Sequence, residues 1–192
     1  MRKFSTFAVA FALLVTAGAT RTFAQESAGF SFKTASLDDI KDTESKFVDL
    51  AKAIPADKYT WRPGEGVRSV SEVFLHIASA NYGLPRMMGA APAEGFNRQG
   101  FETSTTDKDK VIEQLNKSFA YLESAVDKAS DADLQKHVKM FGGKEGSEGD
   151  VLFLIVTDLH EHLGQMIAYA RVNNVTPPWT AAHEKNMGGM KH

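Results

Sequence analysis

Residues 150–173 decide the fold: Asp150-Val-Leu-Phe-Leu-Ile-Val-Thr-Asp158-Leu-His160-Glu-His162-Leu-Gly164-Gln165-Met-Ile-Ala-Tyr169-Ala-Arg171-Val-Asn173. Leu152, Ile155, Leu159, Met166 and Tyr169 recur at spacings of three and four, so they fall on one face of a helix. Val156, Leu163 and Ile167 widen that stripe, which marks this segment as the most buried helix of the chain. Asn173-Asn174 and Pro177-Pro178 end it. One seam position breaks the apolar rule, because His162 stands where a Leu would be ordinary. Asp158 lies four residues earlier and stacks on the same face one turn away. His160 points elsewhere, about 200° around the helix from Asp158. Gly164, inside the helix, costs about 1 kcal/mol against Ala, and close approach of a neighbouring helix would account for it.

Three more segments carry the same period. Ser36 to Ile54 places Leu37, Ile40, Phe47, Leu50 and Ile54 on one stripe, with Asp38 and Asp39 in its first turn and Pro55 beyond its end. Ser69 and Glu72 form a Ser-x-x-Glu capping box ahead of Val70, Val73, Phe74, Ile77, Ala80 and Leu84. Asp107 serves as N-cap for a helix whose stripe is Val111, Leu115, Phe119, Leu122 and Val126. Between them, Gly89 to Thr106 is a long Gly-, Pro- and Asn-containing loop, long enough to form a pocket wall or lid. Val138 to Gly149, glycine-rich and polar, reads as a second loop with room for a short extended piece. No alternating strand pattern and no internal repeat is visible. The expected architecture is all-α, a four-helix bundle over 36–179, with a linker over 25–35 and a flexible tail over 180–192.

Composition narrows the function. The chain has 192 residues, 43% hydrophobic and 24% charged, which suits one globular domain. Its net charge of −2 gives no reason to expect nucleic acid or an anionic membrane as partner. Arg2 and Lys3 precede a nearly unbroken apolar run, Phe4 to Val15, and Thr22-Phe23-Ala24 offers a cleavage site. Residues 1–24 therefore read as a secretory signal peptide, with an uncleaved N-terminal anchor as the alternative. Cleavage would leave an exported protein without stable membrane insertion. The chain has no cysteine, so thiol nucleophiles, iron–sulfur clusters and cysteine-ligated zinc are excluded.

The histidines carry what chemistry the sequence shows. His76 sits at the edge of the apolar face of the second helix, beside Val73, Ile77 and Ala80. In a bundle it can converge with Asp158 and His162, and two imidazoles with one carboxylate form a common ligand set for a divalent metal with open positions. The competing reading is a satisfied polar group in the core, with Asp158 bonded to a neighbour. Asn81, Tyr82 and Gln165 are placed either to hydrogen-bond around such a site or to serve packing. Trp61 and Trp179 are placed to cover bundle ends. The tail residues His183, Met187, Met190 and His192 form a thin His/Met tract that could take copper, against the reading of a plain mobile end.

The run Asp158-Leu-His-Glu-His162-Leu-Gly-Gln165, continuing to Tyr169-Ala-Arg171 and Pro177-Pro178-Trp179, resembles the last-helix signature of the DinB-like (DinB/YfiT) superfamily. So does Trp61-Arg-Pro63 through Val67-Arg-Ser69-Val70 to Phe74-Leu-His76-Ile77, in the right order. The resemblance covers roughly Leu37 to Trp179. It implies a four-helix bundle, often a homodimer, with three ligands around a divalent metal such as zinc or nickel. His76 matches the second-helix ligand and His162 the second of two last-helix ligands. The other falls on Asp158, where many relatives carry His. A carboxylate there favours Zn, Mn or Fe over a soft site, or marks a degenerate site without metal. The resemblance also implies thiol-dependent transfer or isomerisation of a small molecule for some members. For an exported chain, metal-assisted hydrolysis of a small-molecule substrate suits the compartment better. A non-catalytic binding or stress-related bundle is the alternative.

Overall fold

The computed structural model describes residues 30–189. The expected signal peptide, residues 1–24, lies outside them. Helix α1 spans Phe32–Ala53, α2 Val70–Gly83, α3 Lys108–Lys128 and α4 Glu148–Val172. α1 and α2 each pack against both α3 and α4, so the four helices close a bundle around one core. Phe47 of α1 meets Phe119 of α3 with ring centroids 6.0 Å apart, both fully buried. Each such side chain contributes about 1.5–3 kcal/mol relative to exposure. Tyr59, also fully buried, satisfies its hydroxyl by donating to the Ala51 carbonyl at 2.7 Å.

The caps follow the local chemistry. Ser69 accepts from the Glu72 backbone N–H while Glu72 accepts from the Ser69 N–H, the reciprocal box expected from the sequence. Asp107 caps α3 through the Lys110 N–H, and all five apolar stripe residues of α3 are fully buried.

Other expectations need correction. α1 begins at Phe32, with Ser31 accepting from the Thr34 N–H, so part of the expected linker is helix. Asp38 and Asp39 consequently lie beyond the first turn and do not act on the helix terminus. α4 begins at Glu148 because Ser147 and Asp150 form a second capping box. α2, not α4, is the most buried helix: ten of its 14 residues are buried, against nine of 25 in α4. α2 sits centrally, whereas Phe153 and Val172 of α4 face outward. The loop before α4 contains a two-stranded antiparallel hairpin, β1 His137–Lys139 with β2 Glu145–Ser147, paired His137 to Ser147. The chain carries a fifth helix, α5 Pro178–Gly189, whose residues 181–187 are exposed. Pro178 at its start supplies the φ a first helical turn needs. Gly164 meets no close neighbour: a Cβ there would find nothing within 4 Å. Its side faces solvent, so the expected close helix approach is absent. Among the described residues no helix is long and apolar enough to cross a membrane.

Candidate metal centre

His76, Asp158 and His162 come together between α2 and α4. One ligand-type atom from each lies within 4.8 Å of the others. The two imidazole rings meet edge to face with centroids 4.7 Å apart, and His162 Nε2 stands 3.6 Å from Asp158 Oδ1. A shared ion with bonds of about 2.0–2.2 Å asks for separations of about 3–4 Å, so the cluster needs only slight contraction. All three side chains are partly buried, His76 at 21%, Asp158 at 25% and His162 at 12% exposure. Solvent therefore reaches the cluster.

The surrounding hydrogen bonds fix the rings. His76 Nδ1 lies 2.8 Å from Glu102 Oε1. An ionised carboxylate only accepts, so Nδ1 carries the hydrogen and Nε2 keeps the lone pair of the neutral ring. Glu102 also accepts from Arg68 Nε at 2.8 Å. On the other side His162 Nδ1 lies 2.9 Å from Gln165 Oε1, while Gln165 Nε2 donates to the Tyr169 hydroxyl and that hydroxyl donates to the Arg68 carbonyl. The amide orientation forces His162 Nδ1 to donate as well, which again leaves Nε2 as the available nitrogen. The bonds run as a chain from His76 through Glu102, Arg68, Tyr169 and Gln165 to His162. Trp61 covers it, packing edge-on against Tyr169 at 5.3 Å.

Burial pushes the Glu102 carboxyl up, but the hydrogen bonds from His76 and Arg68 outweigh it and hold the group below the usual carboxylate range. The Asp158 carboxylate raises the His162 imidazolium above its ordinary value, against burial, with help from Gln165.

The other residues singled out in the sequence are placed elsewhere. His160 turns away and pairs with Asp39 at 2.9 Å, as its helical phase required. Asn81 donates to Ser118 inside the α2–α3 seam, a packing role. Tyr82 stacks among Phe96, Phe101 and Tyr121. Gln165 does stand directly behind His162. Glu102 was not legible from the sequence: it reaches the site from a short 3-10 turn, Phe101–Thr103, inside the long loop. That loop contributes to the site through Glu102, whereas its Gly89–Glu94 portion lines a separate cavity.

The helices thus form a bundle with a His from the second helix and an Asp/His pair four residues apart on the fourth. The chain belongs to the DinB superfamily, whose family model matches residues 39–166. Its fold is similar to that of a DinB-like protein from Bacillus cereus ATCC 10987, at 16% identity and TM-score 0.66, covering 76% of this chain and 95% of that one. It is also similar to a DinB-like protein from Bacillus subtilis, at 19% identity and TM-score 0.58, covering 74% and 93%. A mycothiol-dependent maleylpyruvate isomerase matches at 14% identity and TM-score 0.58, over 70% of this chain and 60% of that one. No curated protein matches in sequence.

Proposed function

We propose that the protein is an exported metal-binding member of the DinB superfamily, in which His76, Asp158 and His162 hold one divalent cation facing a small-molecule substrate. The single observation that carries this reading is the pair of Nδ1 anchors. Both histidines have Nδ1 engaged, by Glu102 and by Gln165, with Asp158 beside the free Nε2 of His162. Metal-ligating histidines are ordinarily oriented by such a bond on the second ring nitrogen. Two imidazoles and one carboxylate suit Zn, Ni, Mn or Fe, and the partial exposure of all three leaves an approach for a further ligand. A cation bound there would supply Lewis acidity, polarising an oxygen or a sulfur of its guest.

The chain's own residues supply the rest. Glu102 keeps the proton on His76 Nδ1, Gln165 keeps it on His162 Nδ1, and Arg68 holds Glu102 ionised. Metal-assisted hydrolysis of a small molecule is the reaction class proposed. Thiol-dependent transfer, suggested by the name of the isomerase relative, is its neighbour. Export rests on residues 1–24 and pairing as a homodimer on the family resemblance. A second reading, a non-catalytic bundle, is favoured by one observation: the described cavities of about 500 Å³ and more are lined by residues other than His76, Asp158 and His162.

Elemental analysis of the untagged protein separates the two, beside His162→Ala and His183→Ala. Near-stoichiometric metal in the parent and in His183→Ala, lost in His162→Ala, supports the centre. No metal after incubation with Zn, Ni and Mn would make this a bundle with a degenerate site. Loss only in His183→Ala would move binding to the tail.

A further inference from the structure

The first part of the long loop doubles back over the end of α2. Gly89 and Gly95, at φ +81° and +70°, take the left-handed conformation that its turns require. Arg98 thereby returns to Gly83, with Nη1 3.8 Å from where a Cβ on that glycine would stand. There Arg98 and Arg86 line one half-open cavity of about 710 Å³. That is within the range of small-molecule pockets, about 300–1,000 Å³. Phe96, Met87 and Pro92 supply its apolar wall. Tyr82 and Phe101 hold Phe96 in place, with ring centroids 4.7 and 5.1 Å from it. Gly83 follows His76 by seven residues on α2, about 10 Å at about 1.5 Å per residue, so this cavity is distinct from the metal centre.

The charged and amide side chains of this wall offer donors only. No Asp or Glu lines the cavity. Arg62 and Arg68 pair with Glu72 and Glu102, whereas among the described residues Arg86 and Arg98 have no carboxylate and no carbonyl partner. Asn97, in the same wall, accepts from the Gln99 N–H on Oδ1 at 3.0 Å. That bond fixes the amide and leaves Nδ2 as a further donor. A guanidinium presents a planar fork that matches carboxylate and phosphate oxygens. An anion in this cavity gains from both positive charges at once. A cation is repelled by them, and a neutral guest leaves them unpaired.

We infer that this cavity binds a small organic anion, whose oxyanion head pairs with Arg86 and Arg98 and whose apolar body lies on Phe96, Met87 and Pro92. Two cationic groups favour a phosphate monoester, with a charge of about −1.5 to −2 at pH 7, over a monocarboxylate.

The test is calorimetric titration of the full chain with phenyl phosphate, benzoate and phenol, which share a ring and differ in charge. The protein is first stripped of metal with EDTA and then moved to a buffer free of chelator and phosphate, so that no bound metal competes for the anion. The expected result is one site for phenyl phosphate, weaker binding of benzoate and none of phenol. Inorganic phosphate should bind more weakly than phenyl phosphate, because it has no body to lay on Phe96. Arg86→Gln and Arg98→Gln remove a charge from exposed positions outside the core and should each weaken phenyl phosphate about tenfold. Arg171→Gln, at an exposed arginine outside the cavity, should leave it unchanged. Amide resonances of Gly83, Ala90 and Asn97 should move on titration, and those of His162 and Gln165 should not. Phenol binding as tightly as phenyl phosphate overturns the inference, as does inorganic phosphate binding equally well. So does an affinity unchanged in both cavity arginine variants, or no binding of phenyl phosphate at millimolar concentration. The comparison of ligands on the parent needs no variant to fold.

Discussion

Removing Glu102 is the sharpest test of how the candidate centre is organised. Glu102 is not a ligand, yet it accepts from His76 Nδ1 and from Arg68 Nε, each at 2.8 Å. In Glu102→Ala the His76 ring loses the bond that sets its orientation and tautomer, and Arg68 loses its partner. Deleting such an outer partner of a metal-ligating histidine typically costs about 10- to 100-fold in metal affinity, or about 1.4–2.7 kcal/mol. The exposure of His76 and Glu102, 21% and 30%, lets water replace part of the lost bond. The expected loss therefore lies near the lower end, about tenfold. Glu102→Gln keeps an acceptor for His76 but no charge for Arg68, and should fall between parent and alanine variant. The assay is competition for zinc against a chromogenic chelator at pH 7.5, with the parent, the two Glu102 variants and His162→Ala. A Glu102→Ala affinity within twofold of the parent, while His162→Ala loses binding, would refute the argument that the carboxylate orients His76.

Two further outcomes concern stability. Burial, and then the adjacent Glu123, push the Glu44 carboxyl from 4.5 up to about 7. A raised acid favours the folded state fully below its unfolded value, and this contribution is lost as pH rises toward the folded one. Glu44→Gln should thus match the parent melting temperature near pH 4.5, exceed it increasingly up to about pH 7 and keep a constant lead above. A constant difference across the whole range would refute the shift. Gly164→Ala should raise the thermal midpoint, because the Cβ meets open space inside a helix and Ala is favoured there by about 0.5–1 kcal/mol. A lowered midpoint would show that the position is constrained.

How much of this was legible in the sequence depended on the range of the signal. The Ser69–Glu72 box and the α3 stripe are local, at spacings of three and four, and the structure has both. His76, Asp158 and His162 were legible as a group because two of them share a helical face and the third lies on an apolar edge. Glu102 was not, because it reaches His76 across 26 residues of sequence from an aperiodic loop. The start of α4 was misplaced by two residues because its box closes with Asp150 rather than Glu or Gln. The hairpin strands have three residues each, too short for an alternating pattern to register. The relative burial of α2 and α4 is a property of the packed bundle. Apolar content alone ranked the two wrongly.

The chain of bonds from His76 round to His162 has a consequence for the entropy of recognition. Both rings are parked before any guest arrives, one by Glu102 and the other by Gln165, and both lines of support end on Arg68: Glu102 accepts from its side chain, and Gln165 reaches its carbonyl through the Tyr169 hydroxyl. Immobilising a free side chain on binding costs about 0.5–1.5 kcal/mol. Here that disorder is surrendered when the bundle folds, so whatever the two imidazoles receive meets a surface that has already stopped moving.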